Sequence, residues 1–222
     1  MIPGKPDIIK CPKCRWPKSL ITCIFRNTMG GQQWSDAYWW APMSPIQSPI
    51  QKCEHCGHYF LLSRAKRPWL YSKKKLEQQT TGRLSYEEMK EAFEFLLTQK
   101  LTLKEQLTVR FQYIYSYNDA FRNFNFRDVI TKDRSIVDHE LHRNNLLSTI
   151  TLLDRGKIND TYLIGEFFRE AGEFNNCIKI LEGFKTIKPY LKKISDIVVQ
   201  KALSYDNMVF ELPEMGLFAV RR

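Results

Sequence analysis

Two Cys-x-x-Cys pairs, Cys11-Pro-Lys-Cys14 and Cys53-Glu-His-Cys56, constrain this chain more than any other feature. Cysteines with two residues between them suit a tight turn that aims both sulfurs at one point and leaves backbone amides free to stabilise the thiolates. Two such knuckles supply the four sulfurs of a closed tetrahedral site, the coordination that a structural zinc ion takes. The fold must therefore bring residues 11–14 and 53–56 together, whatever lies between them. Thirty-eight residues separate the knuckles, more than the roughly 15 to 20 of a compact four-cysteine site. An enlarged hairpin or an insertion is expected there, containing WSDAYWW and the proline-rich APMSPIQSPI.

One zinc ion on Cys11, Cys14, Cys53 and Cys56 is the first reading. The same four thiolates suit a rubredoxin-like iron site, and either pair alone suits a redox dithiol. His55 and His58 are the candidates for a substitute nitrogen ligand. Gly57 follows the second knuckle and relieves its turn, whereas Arg15 holds the equivalent place after the first. Cys23, in the apolar stretch LITCIF, and Cys177 are left over and read as small core residues.

No apolar run reaches the roughly 20 residues that span a bilayer, and the first residues lack the apolar core of a signal peptide. A cytosolic, reducing setting is expected, where paired cysteines favour metal over disulfide. The formal charge of +10 is uneven: residues 1–82 hold 13 Lys/Arg against 4 Asp/Glu, and all five tryptophans lie there too. That shift in composition predicts a domain boundary between residues 64 and 85.

Up to Phe60, prolines and the Gly30-Gly31 pair interrupt any helical pattern, so short strands and loops are expected. The periodicity then changes. Ser85-x-x-Glu88 has the capping-box form, and Met89, Ala92, Phe93, Leu96 and Leu97 follow on one helical stripe. Thr102-x-x-Glu105 opens a second helix to about Phe121, whose apolar positions cover more than one face and mark it as central. Further helices are predicted over 135–153, 160–171, 175–185 and 189–205, with an extended tail after them. The organisation expected is a metal-binding β module over 1–63, a basic connector over 64–84, an all-α domain over 85–205 and a tail over 206–222.

CPKC and CEHCG, with the apolar flanks Ile8-Ile9 and Tyr59-Phe60-Leu61-Leu62, resemble the zinc ribbon family over about 60 residues. Residues 160–191 resemble one tetratricopeptide unit. Ile164 and Gly165 stand at the Leu-Gly positions, Phe168 at the aromatic, Gly172 at the turn, Cys177 and Leu181 at the small and large residues of the second helix, and Pro189 at the terminal proline. Thr161 and Phe184 depart from the pattern, and no second copy aligns at that period. With YNDAFR at 117–122, the whole is similar to a group of uncharacterised bacterial proteins that join a zinc ribbon to tetratricopeptide-like helices. That resemblance implies metal binding, a protein partner and no reaction.

Three function classes follow. The first is a non-enzymatic protein with one structural Zn2+ and a helical protein-interaction domain. The alternative is nucleic-acid binding through the basic N-terminal part and connector, with Arg64, Lys66, Arg67, Lys73, Lys74 and Lys75 neutralising phosphates. An enzyme is the third. His139 and His142 in DHELHR do not form the HExxH of zinc proteases and are expected on a solvated helix surface. The sequence also carries no Gly-rich phosphate loop or nucleophile elbow.

Overall fold

Short antiparallel strand pairs come first along the chain and helices follow, in the order that the breaks in periodicity dictate. A computed structural model describes residues 2–25, 28–42, 44, 47–68, 84–122, 137–155, 160–184 and 189–213. Eight strands lie first: β1 (Ile2–Pro3), β2 (Asp7–Lys10), β3 (Pro17–Leu20), β4 (Cys23–Phe25), β5 (Gln32–Gln33), β6 (Trp39–Trp40), β7 (Ile50–Lys52) and β8 (Tyr59–Leu61). They pair two by two, β1 with β4, β2 with β3, β5 with β6 and β7 with β8, all antiparallel. Six helices follow: α1 (Tyr86–Leu97), α2 (Leu103–Asn118), α3 (His139–Arg155), α4 (Thr161–Glu170), α5 (Phe174–Glu182) and α6 (Pro189–Leu203).

Both capping boxes form. Glu88 N donates to Ser85 Oγ while Ser85 N donates to the Glu88 carboxylate, and Thr102 and Glu105 repeat the exchange at α2. Each satisfies amides that the first turn leaves without an intrahelical partner. Among the described residues α3 begins at His139 and α2 ends at Asn118, each inside its predicted span.

By its internal contacts the chain forms two compact units, residues 1–30 with 41–116, and residues 31–40 with 117–222. The compositional boundary between residues 64 and 85 falls inside the first of these.

In the first unit, Ile9, Leu20, Phe60, Cys11 and Cys53 form a small buried core between the β2–β3 and β7–β8 hairpins. Ile50 and Leu61 are buried as well. α1 seats its stripe of Met89, Ala92, Phe93 and Leu96 inward, and Phe93 packs on Tyr113 of α2 at 4.6 Å between ring centroids. Tyr59 donates to Glu91, Lys52 pairs with Glu88 at 2.9 Å, and the His58 ring meets Phe95 edge-on, so α1 is tied to the second hairpin.

The second unit holds the segment expected as an insertion. The β5–β6 hairpin, residues 31–40, belongs with α3 to α6, and its Trp34, Ser35, Asp36 and Tyr38 are all buried. Trp34, Trp39 and Trp40 are therefore not part of the knuckle module with which composition had grouped them. The chain after α6 completes this piece: Ser35 N donates to Phe210 O, Leu212 N to Gln33 O, and Trp34 bridges Glu211. Among the described residues the chain after α6 carries no helix as far as Pro213; the rest of the expected extended tail lies outside the described residues.

α4 and α5 form a helical hairpin with Gly172 (φ +78°) in its turn. The Gly165 backbone approaches so near Leu181 that a β-carbon there would stand 2.5 Å from Leu181 Cγ. Cys177 is fully buried beside this crossing, as a core residue should be, and burial pushes its thiol up to about 12. Cys23 lies half-buried in β4.

α4 also buries charge. Arg169 makes two hydrogen bonds to the Glu166 carboxylate, at 2.8 and 2.6 Å, and donates to the backbone carbonyls of Asp206 and Met208. Asp36 accepts from the Arg122 guanidinium and from Asn118 Nδ2 at 2.9 Å, and the same Asn118 nitrogen donates to Glu170 at 3.0 Å. His142, expected on a solvated surface, is buried instead, its ring stacked on Tyr117 at 3.5 Å. Tyr117 is the residue that draws it in, because an aromatic face competes with water for an imidazole. His139 stays exposed and meets Tyr117 Oη at 2.5 Å.

Candidate metal centre

Each knuckle closes the tip of one hairpin of the first unit. Residues 11–16 join β2 to β3, and residues 53–58 join β7 to β8. The two loops repeat the same hydrogen bonds: Cys11 N donates to Trp16 O (3.0 Å) and Arg15 N to Cys11 O (2.9 Å), as Cys53 N does to His58 O (2.9 Å) and Gly57 N to Cys53 O (2.8 Å). Arg15 (φ +63°) and Gly57 (φ +67°) hold the same left-handed place in each turn. Glycine adopts that conformation without cost, whereas an arginine there gives up roughly 1 kcal/mol. The departure from glycine at position 15 changes the residue and leaves the turn intact.

The sulfurs of Cys11, Cys14, Cys53 and Cys56 all lie within 4.8 Å of one another. Across the knuckles, Cys14 Sγ stands 3.5 Å from Cys53 Sγ and Cys11 Sγ 3.9 Å from Cys56 Sγ. Four sulfurs at about 2.3 Å from one ion in a tetrahedron would be separated by roughly 3.8 Å. The two cross-knuckle pairs stand close to that separation, and the cluster as a whole is compact enough to hold one metal ion. Cys11 and Cys53 are buried, while Cys14 and Cys56 are half-buried.

The thiols differ in how readily they ionise. A hydrogen bond from the His58 backbone amide draws Cys56 down to about 7, while burial pushes Cys53 up to about 12. A cation supplies what the buried sulfur lacks, because a metal-bound thiol is deprotonated outright. Metal binding consequently releases protons and strengthens as pH rises.

The two candidate nitrogen ligands are used elsewhere. His55 stacks on Trp16 with centroids 4.6 Å apart and planes 11° from parallel, and His58 lies against Phe60 and Phe95. Among the described residues the four cysteines are the group placed to hold a metal ion.

The residues put forward for phosphate binding have other engagements. Arg64 grips Glu105 with two hydrogen bonds, at 2.6 and 2.7 Å, and donates to Lys100 O; that grip holds the Glu105 carboxyl down to about 2. Arg67 pairs with Asp7 at 3.0 Å, and Lys66 exchanges backbone hydrogen bonds with Lys10, extending the β2 edge. Lys73, Lys74 and Lys75 lie outside the described residues. The exposed cations of the knuckles are Lys13 and Arg15, which the sequence reading had not set apart. Their signal was their place inside a knuckle, next to Trp16.

Among the described residues, no helix is long and apolar enough to cross a membrane. Comparison of the chain with protein-family models, with curated proteins and with solved structures gave no match.

Proposed function

We propose that this is a non-enzymatic zinc protein, in which one structural Zn2+ on Cys11, Cys14, Cys53 and Cys56 organises a small interaction module and the helices offer a protein-binding surface. The observation that carries the reading is the cluster of four sulfurs within 4.8 Å of one another, with the two cross-knuckle pairs at 3.5 and 3.9 Å. The donor set is sulfur alone, both knuckles are closed by the same hydrogen bonds, and neither nearby histidine is turned toward the cluster. A closed site of four protein ligands leaves no position for a substrate, which is how structural zinc differs from catalytic zinc. Holding two short hairpins by one ion suits a module whose apolar core is only a few residues.

Zinc ribbon is our label for the two knuckled hairpins, and tetratricopeptide-like our label for the α4–α5 pair. The tight approach at Gly165 and the burial of Cys177 and Leu181 support the second. A protein partner for the helical unit draws support from Leu203, Tyr205 and Met208, which stand exposed at and just after the end of α6. The non-enzymatic reading is favoured by the work the conspicuous polar groups already do: His142 is stacked on Tyr117, and Glu166 and Asp36 are bound to buried arginines. The cytosol, where thiols stay reduced, is the compartment we assign.

Elemental analysis of the purified protein tests the centre. About one zinc per chain is expected, with a sulfur-only first shell in the X-ray absorption spectrum and loss of the metal in Cys53→Ser. Iron in place of zinc, or a nitrogen in the shell, overturns the assignment.

A further inference from the structure

The net charge of the protein is confined to one of its two units. The first carries 18 Lys/Arg against 8 Asp/Glu and the second 16 against 16, so the whole +10 belongs to the unit that contains the cysteine cluster. Within that unit the knuckles present an aromatic pair to solvent. Trp16, 51% exposed, ends the first knuckle and stacks face to face on exposed His55 of the second. A tryptophan left half in water forgoes much of the burial that usually recruits it to a small domain.

The surroundings of that indole are specific. Lys13 and Arg15 are exposed in the same loop. A shallow cleft beside the rings, floored by Cys11 and Cys53 of the cysteine cluster, is lined by Trp16, Pro17, Lys18, Glu54 and Phe60, with Lys18 and Glu54 paired at 3.6 Å. A flat aromatic surface flanked by cations is what an unpaired nucleobase and its phosphates require: the base gains by stacking and the phosphates by neutralisation. A duplex offers no free base face to stack on.

We propose that the knuckle face binds single-stranded nucleic acid, with a base stacked on Trp16 backed by His55 and the adjoining phosphates held by Lys13 and Arg15. This moves the nucleic-acid site from Arg64 and Arg67, which are held by Glu105 and Asp7, to the tips of the two hairpins. It rests on the zinc reading in one respect, since the ion is what holds the knuckles side by side.

Fluorescence anisotropy on the full chain tests it, with labelled (dT)12 and (U)12, the (dT)12·(dA)12 duplex, and polyglutamate as competitor, at about 50 mM salt. Zinc content is measured on every sample, so failure of the centre and failure of the nucleic-acid site read out separately. Both single strands should bind, the duplex distinctly more weakly, and polyglutamate should compete poorly; the two strands together tell RNA from DNA preference. Trp16→Ala should weaken binding about tenfold, the worth of one stacked base. Should that variant lose zinc, Trp16→Leu, which keeps the apolar cover and removes the π face, is read in its place. Lys13→Gln with Arg15→Gly should lower the slope of log K against log salt by about 1.4. Absence of binding to either strand, equal binding of duplex, unchanged affinity on loss of the indole, or equal competition by polyglutamate, which marks an acidic protein partner, overturns the proposal.

Discussion

Asp36→Ala tests the seating of the segment between the knuckles. The Asp36 carboxylate is fully buried; it accepts from the Arg122 guanidinium and from Asn118 Nδ2, and its other oxygen accepts from Tyr38 N at 3.1 Å. Asn118 keeps Glu170 as the acceptor for one of its two amide hydrogens, so truncation costs it a single hydrogen bond. Arg122 fares worse. Its side chain is itself wholly buried, and it also pairs with Asp119, whose side chain is 25% exposed. The Tyr38 ring, 4.2 Å from the guanidinium, offers a face to the cation without replacing an anion. Removing one member of a buried pair costs about 3 to 5 kcal/mol, mostly from the charge left behind. Against a total stability of roughly 5 to 15 kcal/mol, that is a large part of the whole. Urea unfolding followed by circular dichroism at 222 nm should show the midpoint falling accordingly, with zinc content unchanged. Asp36→Leu combined with Arg122→Met, which removes both charges and fills the space with apolar atoms, should recover most of the loss. A cost below 1 kcal/mol for Asp36→Ala would mean that residues 31–40 are not anchored among the helices.

Gly165→Ala should destabilise the helical unit by about 1 to 3 kcal/mol, since the new methyl would meet Leu181 at 2.5 Å, and Leu181→Ala in the same chain should relieve part of it; additive losses in thermal melts would show that the two sites do not touch. Gly57→Ala should cost about 1 kcal/mol through its φ of +67° alone, because nothing lies within 4 Å of an added β-carbon; a neutral result in chelator-competition and melting assays would refute the left-handed turn. Glu170, surrounded by Asp36, Glu166, Arg169, Asn118 and His142, has its carboxyl held well above 4.5 by burial, so the folded protein keeps a proton that the unfolded chain releases above that pH. Stability contributed there is full below pH 4.5 and falls as pH rises, and Glu170→Gln should remove the decline; as pH is raised above 5 the variant should gain on the parent, by at most about 1.4 kcal/mol per pH unit in urea titrations, and a constant difference would refute the proton.

What the amino-acid sequence determined by itself is local or strongly typed. Cysteine spacing singled out the four sulfurs that the fold gathers within 4.8 Å, because the turn that places two sulfurs is built by the residues between them. Capping boxes marked Ser85 and Thr102 because hydroxyl and carboxylate act within one helical turn. The Gly165–Leu181 crossing was legible because α4 and α5 adjoin in the chain. What only the tertiary structure decided is which distant segments share an interior. Trp34 and Asp36 lie between the knuckles in sequence, yet belong to the unit of α3 to α6, because Asp36 finds Arg122 and Asn118 there and Tyr162 donates to Ser35 O. Composition averages over neighbours in the chain and cannot see such a partner. His142 was misplaced for the same reason: a lone imidazole on a polar helix reads as surface until Tyr117, from another helix, supplies the ring it stacks on. The pairing of Arg64 with Glu105 and the half-exposure of Trp16 were hidden for the same reason, since only the fold decides which carboxylate reaches a cation and how much of an indole is left in water.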